Sequence, residues 1–163
     1  MIDSVYLLEK ETISNIQGDR KSHFLNENAT RVNKNLGDIT GLTGFGFHII
    51  EVEPGRDTTE YHVHQYEDEC VFVLEGSATA IIGDQEHDIG PGDFIGYRKG
   101  GSPHSICNTG DQTLKCIVVG ERRAHDVCDY PKQNKRLYRN AGMPWNLVDH
   151  DVIDDPKRGI GSS

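Results

Sequence analysis

His62-Val63-His64-Gln65-Tyr66-Glu67-Asp68-Glu69-Cys70-Val71-Phe72-Val73-Leu74-Glu75-Gly76 is the stretch on which the fold turns. Alternate side chains of a strand share a face, so His62 and His64 point one way while Val63 points the other. The loop Gln65-Tyr66-Glu67-Asp68 is long enough to reverse the chain, which lets Glu69 open the neighbouring strand with its carboxylate beside the two imidazoles. Cys70 to Leu74 then reads as a buried strand that stops near Gly76. A slip of register would offer Glu67 or Asp68 in place of Glu69; the spacing to Gly76 favours Glu69.

Downstream, Gly90-Pro91-Gly92-Asp93 marks a turn and Phe94 to Tyr97 a short strand. A glycine loop, Lys99 to Pro103, then delivers His104 to the strand His104-Ser105-Ile106-Cys107. Upstream, Gly44 to Val52 forms a strand stopped by Pro54-Gly55. Ser77 to Ile82 pairs with Gln85 to Ile89 across Gly83-Asp84, and Thr113 to Val119 follows the turn at Thr109-Gly110-Asp111. Short strands at such even spacing indicate an all-β sandwich or jelly-roll barrel. The best place for a short helix is Val5 to Glu11.

His62, His64, Glu69 and His104 thus converge although they are scattered in sequence. Three neutral imidazoles and one carboxylate suit one divalent transition metal, Fe, Mn, Ni, Co or Zn, with coordination positions left for water or substrate. Spacing does not choose among those metals.

The residues from Gly55 to Gly76 resemble the first signature motif of the cupin superfamily, with its glycine, His-x-His, glutamate and closing glycine. Gly92 to Asn108 resembles the second, with His104 as its histidine and Asn108 as its asparagine. One position departs, because the second motif commonly carries a proline where Arg98 or Lys99 stands here. Further likeness, through Gly41-Leu42-Thr43, Phe45-Gly46-Phe47, Glu67-Asp68-Glu69, Val73-Leu74-Glu75-Gly76 and Tyr130-Pro131, is to small bacterial single-domain cupins, some of them labelled sugar-phosphate-isomerase-like. The resemblance implies a double-stranded β-helix, that is a jelly-roll barrel, over residues 41–120. Residues 1–40 are then an N-terminal extension holding an edge strand or short helix. Residues 121–163 are an extended C-terminal tail that packs back on the barrel and is mobile near Gly159. The same resemblance implies a homodimer paired through sheets.

Around these ligands several residues are candidates for chemistry. His48 shares parity with Ile50 and Val52, and Glu60 shares the face of His62 and His64 if that strand is regular. Both are candidate catalytic groups, and both have a plain alternative as a satisfied core histidine and a solvated carboxylate. Tyr97, Arg98 and Lys99 are candidate substrate-binding residues at the barrel mouth, although loop charges are commonly just solvated. Tyr61 is a further pocket candidate. His23, His87, His125 and His150 match no motif and read as surface residues.

A chain of 163 residues with a net charge of −9 is most simply one domain, and one poorly suited to nucleic acid or anionic membranes. No apolar run is long enough to span a bilayer and the N-terminus lacks signal-peptide character, so a cytoplasmic location is expected. The four cysteines, Cys70, Cys107, Cys116 and Cys128, show no CxxC spacing and read as reduced, buried apolar residues. The function expected is a metal-dependent enzyme on a small polar metabolite, an isomerase or epimerase, with a sugar phosphate as one substrate type. Two alternatives stay open: a mononuclear Fe(II) dioxygenase, and a non-catalytic ligand-binding or sensor protein.

Overall fold

The structure, a computed structural model, describes residues 5–156. After helix α1 (Lys10–Asn15) come β1 (Asp19–His23), β2 (Asn26–Asn35), the short α2 (Leu36–Ile39) and β3 (Phe45–Val52). They are followed by β4 (Val63–His64), β5 (Glu69–Glu75), β6 (Ala78–Ile82), β7 (Gln85–Ile89), β8 (Phe94–Tyr97) and β9 (His104–Cys107). The chain continues through β10 (Leu114–Glu121), β11 (His125–Tyr130), β12 (Lys135–Asn140) and β13 (Asn146–Asp149). The strands make a six-stranded sheet in the order β1-β2-β3-β10-β5-β8, a four-stranded sheet β13-β12-β11-β4 and a three-stranded sheet β7-β6-β9. All pairings are antiparallel, as an all-β jelly roll requires. No helix among the described residues is long and apolar enough to cross a membrane.

Three expectations need correction. The helix begins at Lys10 rather than Val5, because Val5, Tyr6 and Leu7 lie exposed with no apolar surface to cover them. The loop from Gln65 to Asp68 does not make a hairpin: β4 pairs with β11 while β5 pairs with β10 and β8, so the loop carries the chain from one sheet to another. Glu69 therefore meets the imidazoles across the barrel interior rather than along one sheet. The clamp strand is also far shorter than its pattern suggested, with regular pairing only at Val63 and His64 and an isolated bridge between His62 and His104.

The terminal extensions are richer than expected. Strands β1 and β2 extend the main sheet beyond β3, and the tail packs back as three strands, β11 continuing onto β4. The expectation of mobility near Gly159 lies outside the described residues.

Successive inner rows of the large sheet change character along the strands. Ile50, Cys116 and Val73 stand side by side in one row, His48, Val118, Val71 and Ile95 in the next, and Gly46, Gly120, Glu69 and Tyr97 in the third. Ile50, Val52, Val73, Leu114 and Cys116 are all at or below 1% exposure, so one end of the barrel is packed hydrocarbon. At the other end the two glycines leave room beside Glu69. Gly76, which closes β5, has φ +80°, and a Cβ there would stand 2.7 Å from the Thr113 carbonyl oxygen, so only glycine fits.

Candidate metal centre

The three expected histidines are fixed in one common way. His62 Nδ1 lies 2.8 Å from the Glu60 carbonyl oxygen, His104 Nδ1 3.2 Å from that of Ser102, and His64 Nδ1 2.6 Å from Asp126 Oδ2. Each acceptor holds the ring proton at Nδ1, which leaves the Nε2 lone pair free, the tautomer a metal ligand needs. The rings of His62 and His64 stand 4.9 Å apart and nearly perpendicular, and those of His62 and His104 4.7 Å apart.

Glu69 joins them from the opposite sheet. One ligating atom each from His62, Glu69 and His104 lies within 4.8 Å of the others, and His64 adjoins through His62. His104 Nε2 is buried without a hydrogen-bond partner and sits 3.8 Å from Glu69 Oε1, too far for a hydrogen bond. A buried nitrogen lone pair facing a carboxylate across such a gap is what a cation between them would satisfy. The residues present therefore fit a divalent metal.

Electrostatics agree. Burial pushes His62 down to about 3, so its ring is neutral at neutral pH. Burial alone would raise Glu69, but the neighbouring imidazoles, His104 foremost, hold its carboxyl down to about 2 and keep it ionised. His64 is raised: burial opposes its charge, and the Asp126 carboxylate outweighs that.

All four ligand candidates line one cavity of about 460 Å³, within the range of small-molecule sites. Tyr97 lines it too, its ring stacked on His104 at 3.5 Å and 3°, its hydroxyl buried without a partner. His48 is on the wall, with Asn33 Nδ2 3.2 Å from its Nδ1. An amide N–H there makes Nδ1 an acceptor, so the His48 proton resides on Nε2 and the ring serves as a donor rather than a base.

Other expected site residues fall elsewhere. Glu60 is buried at 5% exposure but does not line the cavity, because residues 53–62 are irregular and the alternation assumed for its face does not hold; only its backbone carbonyl serves the site. Arg98 and Lys99 are exposed and outside the cavity. At Lys99, one of the two positions where the resembled motif commonly carries proline, the N–H donates to Asp68 Oδ1 at 2.8 Å, a bond proline could not make. Tyr61 is also off the cavity, its hydroxyl donating to the Gly83 carbonyl.

Several further residues line the wall, of which the sequence had singled out only Glu67, as an alternative to Glu69. Asp126 and Glu67 are both paired with Arg139, and Glu67 also accepts from the Arg123 N–H at 2.7 Å. His23, read as surface, lines the cavity and is pushed down to about 4 by burial and then by Arg31. Cys128 lies beside His62 and His64, but burial lifts its thiol to about 12 and keeps it protonated. The four cysteines are all free.

The family profile described as "Cupin domain" matches residues 48–120, the span that carries all four ligand candidates. A solved protein of Acidithiobacillus ferrooxidans, provisionally named a sugar phosphate isomerase, shares 49% identity over 93% of this chain and 97% of its own, with a TM-score of 0.90. A sugar phosphate isomerase of the cupin superfamily from Silicibacter pomeroyi shares 27% identity over 90% of this chain and 94% of its own, with a TM-score of 0.78. No curated protein matches the chain. With an antiparallel all-β fold of three sheets, the two motifs in place and these relatives, the chain belongs to the cupin superfamily.

Proposed function

We propose that the protein is a metal-dependent enzyme that moves a proton within a small hydroxy-carbonyl metabolite, an isomerase or epimerase with a sugar phosphate as its substrate type. The observation that carries this reading is the set of three histidines, each tied at Nδ1, around an ionised Glu69 in a cavity with room to spare. His62, His64, Glu69 and His104 would hold one divalent transition metal. Such an ion acts as a Lewis acid toward a substrate oxygen. His48 offers Nε2–H to a second oxygen, and the Tyr97 hydroxyl, kept protonated by burial, offers another donor. The names of the two relatives support the isomerase class.

Proton transfer leaves a label. Aldose and ketose phosphates incubated with the metal-loaded protein in deuterated water are expected to take up deuterium at the carbon next to the carbonyl. Consumption of O₂ by the iron-loaded protein with no deuterium uptake would replace this reading by a dioxygenase.

We also propose a homodimer that packs through the outer face of the large sheet. Phe45, Phe72 and Phe94 share that face and stay 40%, 39% and 65% exposed. An apolar surface of this kind on a sheet is typical of a contact face. Solution scattering is expected to give twice the chain mass, and Phe72→Glu to return it to one; a monomeric mass for the unaltered protein would refute the dimer.

A further inference from the structure

Arg31 stands apart among the arginines of the cavity wall. Arg139 is paired with Glu67 and Asp126, and Arg122 with Asp38. Arg31, on the inner face of β2 opposite Lys21, makes one hydrogen bond among the described residues, from Nη1 to the Thr58 carbonyl oxygen at 2.7 Å, and no ion pair. Its remaining N–H groups have no protein acceptor among those residues. A half-buried guanidinium on a cavity wall, without a counter-charge, is a ready receiver for an anion.

The surroundings match an anion as well. Lys21 stands directly across the strand pair from Arg31 on the same cavity wall, while His48, farther along the sheet, carries its proton on Nε2 over Gly46. A planar guanidinium fork and the lysine paired with it form a positively charged, donor-rich stretch of wall. Glu69, the nearest carboxylate in charge terms, is committed to the metal centre.

We propose that Arg31 anchors an oxyanion of the substrate, a phosphate monoester or a carboxylate, with its cross-strand partner Lys21 as the neighbouring positive charge. This deepens the metal-dependent reading above and rests on it for the identity of the ligand as substrate. Bidentate binding of an oxyanion by arginine is geometrically specific and charge-assisted, which lysine reproduces only in part.

The test is calorimetric titration of inorganic phosphate and, separately, malonate into metal-loaded and metal-stripped protein. Saturable binding of one or both is expected in either form, and the tighter probe identifies phosphate or carboxylate as the natural group. Arg31→Met is expected to weaken that binding by at least ~10-fold and Arg31→Lys by less. Binding that disappears on metal removal, or survives unchanged in Arg31→Met, would place the anion elsewhere and overturn the proposal, as would no saturable binding of either probe. If Arg31→Met fails to fold, phenylglyoxal labelling of the unaltered protein decides: phosphate is expected to protect Arg31, and equal labelling with and without phosphate refutes the site. Loss of the metal reading would leave anion binding to the stripped protein intact, so the two failures are distinguishable.

Discussion

His104→Ala protein, purified without chelators, is expected to contain almost no metal while its strands remain folded. His104 supplies a buried Nε2 that has no protein partner, so removing the ring deletes a ligand without orphaning any other side chain. The Ser102 carbonyl loses its donor, and Tyr97 loses a stacked neighbour, which costs stability modestly. His62→Ala is expected to behave alike. Asp126→Ala keeps every ligand but frees His64 Nδ1, and its affinity for metal should fall by about 10–100-fold, the usual effect of losing a group that orients a ligating imidazole. Elemental analysis beside circular dichroism reads both effects. Full metal content in both histidine variants would dismiss the four-residue centre.

At the opposite end of the barrel, Asn108→Ala is expected to be among the most destabilising polar substitutions in the chain. Asn108 is fully buried, and its amide donates to the Val52 and Gln112 carbonyls at 2.8 and 2.9 Å while Oδ1 accepts from the Gly110 N–H at 3.1 Å. Its backbone also bonds to Arg56 and Gly55. Truncation would leave buried carbonyls and an N–H unsatisfied, at a cost of roughly 2–4 kcal/mol. Urea unfolding should show this as a lower midpoint with little change in slope, and metal content should be unaffected. A loss below about 1 kcal/mol would mean that the loops at Val52 and Gly110 hold each other without it.

The fold, and the side chains that the barrel brings around one cavity, were legible because they are written in short-range patterns. His-x-His, a glutamate before an apolar run and a histidine after a glycine loop each reflect strand alternation or turn chemistry, and the central strands fell within a residue or two of their expected ends. The path of the loop from His64 to Glu69 was not legible, because sheet membership depends on partners far along the chain: β4 finds β11 rather than β5. Glu60 was misplaced for a local reason, since Pro54 and Gly55 open an irregular segment in which period-two alternation has no meaning. Arg31, Asp126 and Arg139 were invisible as site residues, because single charges in polar stretches look solvated until tertiary packing encloses them. His23 was missed in the same way: its burial comes from neighbours such as Phe24 and Tyr130.

The row order inside the large sheet separates two kinds of selection along a single direction. Moving four residues along a strand, roughly 14 Å, exchanges close-packed aliphatic groups for glycine and a charged ligand. Changes confined to the open end leave the hydrocarbon clasp at the other undisturbed, so a new substrate could be accommodated by resizing Gly120 or its neighbours with little penalty in folding. Such a division lets one scaffold diverge in chemistry while its architecture stays put.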